Sequence, residues 1–295
     1  MPKRTHHSVP RRLSAGLACA LLTLGLAAAP ASAPCAEASA PAVQSPAELA
    51  ETLKKNTLAR TTEYYMHKYG VPADKAAVIE AHMKALAGHP GFIEAVVARD
   101  RMVEQARQSG IDPDDAEDLK GELYQKGLMR AGVEDLSLCV ETNIRLAGIM
   151  TPEQYKAYQL QGLAPKDAQG APVDADALLY RKFDTPSLKA WLEHRTRMIT
   201  AGLDGGEARK LTPEDARAAG AALQQSFQKK FDALSAADKK RLGYAFANLP
   251  TAPAADVRDV LVLLHTAMLE VPAPELENVL RFFFTDADSA EQGAE

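Results

Sequence analysis

The sequence predicts an all-α protein, a multi-helix bundle or array of about ten to twelve short helices that follow an N-terminal signal peptide. Three observations predict this fold class. Helix-start signals recur along the chain, apolar residues repeat at three- and four-residue steps, and no window of comparable length alternates as a half-buried strand would. The chain is also rich in alanine and has only 6% aromatic residues, which favours close-packed helices over sheets.

Residues 1–31 have the pattern of a secretory signal peptide. Their start is basic, the stretch Leu13–Ala29 is uncharged and apolar, and small residues follow at the spacing of a cleavage site. We expect cleavage after Ala31, with Ala38 as the second choice. The alternative is an uncleaved membrane anchor, because the apolar stretch and the residues after it nearly span a bilayer. No later run approaches about 18 apolar residues, so the mature chain is expected to be soluble.

Residues 32–46 are predicted to be a flexible linker, because this Pro-, Ala- and Ser-rich stretch has no periodic apolar positions. The linker contains Cys35, which can carry a lipid, bond to Cys139 or be lost with the leader. Lipidation is disfavoured, because Ser32 and Pro34 stand where a lipoprotein signal has an aliphatic and a small residue. A disulfide is chemically allowed after export, but a flexible segment does not fix the distance between the two sulfurs. Cys139 lies on an apolar helix stripe and is predicted to be buried.

The helix starts are identified by their capping residues. In each, a short polar side chain can accept a hydrogen bond from the first turn, Pro or Ala opens that turn in most cases, and an acid or amide stands three residues on. These signals begin at Ser45, Asp112, Thr151, Thr212 and Ser235. Glycine or proline follows many of the intervening runs, where a helix would end.

The longest irregular stretch, 162–176, is the best candidate for an internal boundary. It is predicted to be a loop between an N-terminal helical region, 47–161, and a C-terminal helical region, 177–285. Whether these regions are two domains or one bundle stays open. The tail, 286–295, is acidic, lacks large apolar residues and is predicted to be disordered.

Charge and motifs exclude several classes of function. The formal net charge is −5, and the basic leader hides a more acidic mature chain without a basic cluster, so nucleic acid is not an expected partner. The sequence has no G-x-S-x-G, H-E-x-x-H, C-x-x-C, G-x-G-x-x-G or P-loop motif. No two histidines of the mature chain have the spacing that places a metal between them on one helix face. We therefore predict no catalytic residue, cofactor or metal ligand.

Three candidate binding residues share one face of the first predicted helix of the mature chain. Asn56, Arg60, Tyr64 and His67 follow one another at steps of four, four and three residues. Arg60 and Tyr64 can hold a carboxylate or phosphate, and His67 is a neighbour that titrates near neutral pH. The same pattern also suits a solvated helix face.

Two further candidates are charged residues on apolar stripes. Arg195 lies in the middle of one such face, and Asp100 falls on another, where an unpaired charge is costly. If the two faces meet, Asp100 and Arg195 are expected to form a partly buried ion pair. His82 lies on a third stripe. Structural pairing is the simpler interpretation, and a site that combines His82, Asp100 and Arg195 is the alternative.

These observations predict a soluble helical protein of the periplasm or the cell exterior that acts as a binding or interaction module for an unknown protein, peptide or small molecule. It would meet the membrane only during export unless the leader is retained. Two alternatives stay open: a periplasmic hydrolase or lyase whose site is assembled from dispersed polar residues, and an N-terminally anchored structural protein. Convergence of His82, Asp100 and Arg195 in one cleft would favour the enzyme.

Overall fold

A computed structural model describes residues 45–108, 119–161 and 175–285. Within these ranges the chain forms thirteen α-helices and no strand, which confirms the predicted all-α class. The helices are α1 (Pro46–Leu58), α2 (Thr62–Tyr69), α3 (Ala73–Gly88), α4 (Pro90–Gln108), α5 (Leu119–Leu128), α6 (Val133–Ile149), α7 (Pro152–Gln161), α8 (Ala175–Lys182), α9 (Thr185–Asp204), α10 (Pro213–Asp232), α11 (Ala236–Ala247), α12 (Ala254–Leu269) and α13 (Glu275–Thr285).

Several sequence predictions fall outside the described ranges. These are the signal peptide, nearly all of the linker with Cys35, the helix start at Asp112, most of the loop 162–176 and the acidic tail. Cys139 is buried, as predicted, and the question of a bond to Cys35 stays open because Cys35 lies outside the described residues. None of the described helices combines the length and apolarity that a membrane span needs.

The other predicted helix starts are confirmed. The Ser45 side chain accepts a hydrogen bond from the Glu48 amide, and the Glu48 carboxylate accepts one from the Ser45 amide. Such caps contribute about 1 kcal/mol each because the first amides of a helix have no partner within it. The same side-chain-to-backbone bond occurs at α7, α10 and α11, through Thr151, Thr212 and Ser235.

The described chain divides into two compact units, each built from two stretches of sequence. The α9 unit comprises 45–138 and 175–209, and the α12 unit comprises 139–161 and 210–285. The units do not coincide with the two predicted helical regions, because α8 and α9 pack with α2, α3 and α5 rather than with later helices.

The α9 unit is organised around its longest helix. The apolar stripe predicted for α9 is buried, with Trp191 and Leu192 each 1% exposed, against α3 and α5. The backbones of α5 and α9 touch: a Cβ atom added at Gly202 would lie 2.0 Å from the carbonyl oxygen of Leu123, and one added at Gly127 1.9 Å from that of Met198. Only glycine permits this approach.

The α12 unit packs α7, α10, α11 and α13 around α12. The predicted stripe of α12, which includes Val257, Leu261 and Met268, is buried. His265 lies in the same interior, fully buried, with its ring edge-on to that of Phe283 at 5.8 Å between centroids. Neither of its ring nitrogens has a hydrogen-bond partner in the described part of the chain.

Candidate binding groove

A groove of about 580 Å³ lies between α3 and α9, within the α9 unit. On the α3 side it is lined by Ala77, Ala81 and Ala85, which are all exposed. These alanines recur every four residues and therefore share one face of the helix. Ile79 and Leu86 lie on the buried face, so the packing of α3 leaves the alanine row at the surface.

The α9 side of the groove carries three charged residues with the same spacing. Lys189, Glu193 and Arg197 are each more than half exposed, and their order is positive, negative, positive. The Lys189 ammonium lies 3.8 Å from the Glu193 carboxylate, a distance at which exposed charges attract each other only weakly. The charges of Lys189 and Glu193 are therefore available to a partner, whereas Arg197 is already paired with Asp135.

His82 is the most buried polar residue that lines the groove. Its Nδ1 atom lies 2.7 Å from the Thr196 hydroxyl oxygen, which is also 2.9 Å from the Leu192 carbonyl oxygen. Burial, followed by the positive charges of Arg195 and Lys120, holds the pKa of His82 well below its usual value, so the ring is neutral at pH 7.

A chain of hydrogen bonds holds Arg197 at the edge of the groove. Arg197 Nη2 donates to Asp135 Oδ1 at 2.6 Å, and His194 Nδ1 lies 3.0 Å from the same oxygen. The bond from His194, together with that from Arg197, lowers the pKa of Asp135 to about 2 against the opposing effect of burial. His194 Nδ1 therefore donates to an ionised carboxylate, and the hydroxyl of Tyr124 donates to Nε2 at 2.9 Å. Tyr124 and His194 are fully buried, so we interpret this row of hydrogen bonds as structural.

The predicted row of Asn56, Arg60, Tyr64 and His67 does not lie on one helix. The chain leaves the helix at Ala59 and α2 begins at Thr62, so Arg60 lies in the break. The structure still brings Arg60 to Tyr64, with the guanidinium carbon 5.2 Å from the ring centroid. His67 instead lies 3.9 Å from Glu63 on an exposed face.

The predicted ion pair between Asp100 and Arg195 is wrong. Arg195 is 1% exposed, as its position on the stripe predicted, but its Nη1 donates to Asp176 Oδ2 at 2.8 Å. Burial alone would lower the pKa of Arg195, and the Asp176 carboxylate outweighs that effect and raises it. Asp100 is exposed on α4, at the edge of the apolar stripe rather than within it. His82 lines the groove without either residue, so the constellation expected for an enzyme is not formed.

One imidazole and one hydroxyl lie among the side chains that line the groove. The hydroxyl belongs to Thr196, which contacts His82 Nδ1 and the Leu192 carbonyl. The remaining lining is alanine, valine, leucine and the three charges. No known protein family, curated protein or solved structure matches the chain.

Proposed function

We propose that the protein is exported and acts as a binding module, and that the groove between α3 and α9 takes one short amphipathic helix of a partner protein. The observation that carries the proposal is the groove itself, in which a row of small apolar side chains faces a row of alternating charges. Three features support the proposal: the four-residue spacing along both walls, the paired backbone of the two helices and the order of the charges on α9.

The spacing of both walls matches that of a helix. Ala77, Ala81 and Ala85 are separated by four residues, as are the charged residues of α9, and four helical residues rise about 6 Å. A partner helix laid along the groove presents its side chains at the same interval. The alanine methyl groups also leave room for its backbone to approach to about 8–10 Å, the usual distance between packed helices.

A helix fits this groove better than an extended peptide. An extended chain is held mainly by hydrogen bonds to an unpaired backbone edge. Both walls here are α-helices, whose interior amide and carbonyl groups are already paired. A helix satisfies its own backbone and needs only an apolar face and complementary charges.

The charges specify which helix. Lys189, Glu193 and Arg197 are complemented by an acid, a base and an acid at four-residue steps. Because this order is symmetric, it suits a helix in either direction.

A peptide experiment tests this proposal. Two fluorescent helical peptides of about 18 residues share a leucine and alanine face and carry Glu-Lys-Glu or Lys-Glu-Lys at four-residue steps on one edge. Fluorescence anisotropy is expected to show about fivefold tighter binding of the Glu-Lys-Glu peptide, since its weak attractions to Lys189 and Glu193 become weak repulsions in the other, while Arg197 is already paired with Asp135. Glu193→Lys should remove most of that preference.

Matched tryptophan variants locate the binding. Ala81→Trp fills the groove from an exposed position and should abolish binding, whereas Ala98→Trp, on the exposed surface of α4, should leave it unchanged. Equal binding by wild type and Ala81→Trp, or no binding of either peptide to wild type, would refute the groove as a helix site.

Export has its own support and its own test. The basic start, apolar stretch and small residues of 1–31 support a cleaved leader. The intact mass of the protein recovered from the periplasm of a Gram-negative host should correspond to a chain that starts at Ser32 or Ser39. A mass that begins at Met1 would favour the anchored alternative.

A further inference from the structure

Two positive charges lie beside one exposed tyrosine where α1 gives way to α2. The Arg60 guanidinium carbon is 5.2 Å from the centroid of the Tyr64 ring, and Lys68 Nζ is 5.9 Å from the same centroid. Lys68 also lies 5.0 Å from the ring of Tyr69. Tyr64 is 37% exposed, so this cluster is open to solvent.

No carboxylate neutralises the two cations within the ranges that the structure describes. Neither Arg60 nor Lys68 forms an ion pair there, although the chain carries a net negative charge. The acids in this neighbourhood have other partners. Glu63 lies 3.9 Å from His67, and Glu80 accepts hydrogen bonds from Thr62 and Lys84. The ring of Tyr64 attracts the cations but does not cancel their charge.

A buried tyrosine lies beside the cluster. Tyr65 is 1% exposed and its ring meets that of Tyr64 edge-on at 5.0 Å. Burial raises the pKa of Tyr65, and the positive charge of Arg60 and a hydrogen bond with its guanidinium oppose that effect, so Arg60 lies within reach of the Tyr65 hydroxyl.

We propose that Arg60, Tyr64 and Lys68 form a binding site for a phosphate monoester group. A dianion matches two cations that no carboxylate neutralises, whereas a carboxylate would be satisfied by the arginine alone. The planar guanidinium can donate two parallel hydrogen bonds to phosphate oxygens, and the lysine supplies a mobile point charge. This site is independent of the groove, so either proposal can fail without the other.

Titration of the full-length mature protein tests the site. The soluble probes are inorganic phosphate and phenyl phosphate, with acetate as the monovalent comparison, and binding is followed by isothermal calorimetry at low ionic strength. We expect saturable binding of both phosphates and weaker binding of acetate. Vesicles of phosphatidylcholine with and without phosphatidic acid present the same phosphate monoester on a lipid. Binding to the soluble phosphates alone would indicate a soluble ligand, and binding to the phosphatidic acid vesicles as well would indicate that a lipid headgroup can also occupy the site.

Single substitutions assign the site. Arg60→Gln and Lys68→Gln should each weaken phosphate binding by about tenfold, because each removes a charged hydrogen-bond donor. Arg60→Lys should recover part of the loss, because it keeps the charge but not the planar fork. Lys240→Gln, which removes one exposed charge from α11, is the matched control and should bind as wild type does. The proposal is overturned if the wild type binds neither probe, or if the variants at 60 and 68 bind as the control does.

Discussion

His265 is expected to make the folded state sensitive to mild acid. Its ring is fully buried against Phe283 without a hydrogen-bond partner in the described chain, and burial lowers the pKa of His265 from 6.5 to about 4. Above pH 6.5 the ring is neutral in both the folded and the unfolded chain. As the pH falls towards 4, only the unfolded chain takes up the proton, so the free energy of unfolding decreases.

The size of this effect follows from the two pKa values. One pKa unit corresponds to about 1.4 kcal/mol, so the difference between 6.5 and about 4 is worth about 3.4 kcal/mol once the pH is below both values. At pH 5 the unfolded histidine is almost fully protonated and the folded one is not, which gives about 2 kcal/mol.

The variant His265→Leu measures this effect. Urea unfolding followed by circular dichroism gives the free energy of unfolding of wild type and variant at pH 7.5 and pH 5. The variant should gain about 2 kcal/mol relative to wild type between these two conditions. Any packing change made by leucine is the same at both pH values, so it cancels in the comparison. His67→Gln, at an exposed position, should follow wild type. If His265→Leu loses as much stability in acid as wild type does, the argument from burial is wrong.

Two other predictions concern packing and charge in the α9 unit and the α12 unit. Gly202→Ala should lower the free energy of unfolding by about 3 kcal/mol, because the new methyl group would overlap the carbonyl of Leu123. Gly220→Ala, at a position with open space around it, should raise the free energy of unfolding by about 1 kcal/mol. Urea unfolding measures both variants, and a loss of equal size at the two positions would contradict the close approach of α5 and α9. Asp176→Asn should lower the free energy of unfolding by about 3–5 kcal/mol, because it leaves Arg195 charged and buried without its carboxylate. A double variant that combines Asp176→Leu with Arg195→Met should recover most of that loss. A double variant as unstable as the single one would show that packing, not charge, holds this pair.

Local signals explain what could be predicted from the sequence. The cap at Ser45 and the apolar stripe of α9 depend on residues within one or two turns of each other, so their physical causes are visible in a short window. The start of α9 at Asp184, which caps through the amide of Ser187, carries the same signal but was not among the predicted starts. It could have been found, because proline follows two residues after it.

Partners across the chain could not be predicted in the same way. The stripe showed that Arg195 would be buried and would need an acid, but not that the acid would be Asp176 rather than Asp100. That choice depends on which helices pack together, and α8 packs with α2 in the unit that also contains α9. Likewise, Asp135 and His194 are 59 residues apart, and no spacing rule connects them.

The wall of the groove on α9 is held in place by contacts of that helix with α5, α6 and α8. Gly202 fixes its distance from α5, Arg195 ties it to α8 through Asp176, and His194 ties it to α6 through Asp135. These contacts fix the helix backbone beneath the row from Lys189 to Arg197, so a partner does not need to order the backbone of α9 when it binds. Substitutions at Gly202 should therefore weaken peptide binding even though this residue does not line the groove, and they should do so more than an equally destabilising change in the α12 unit.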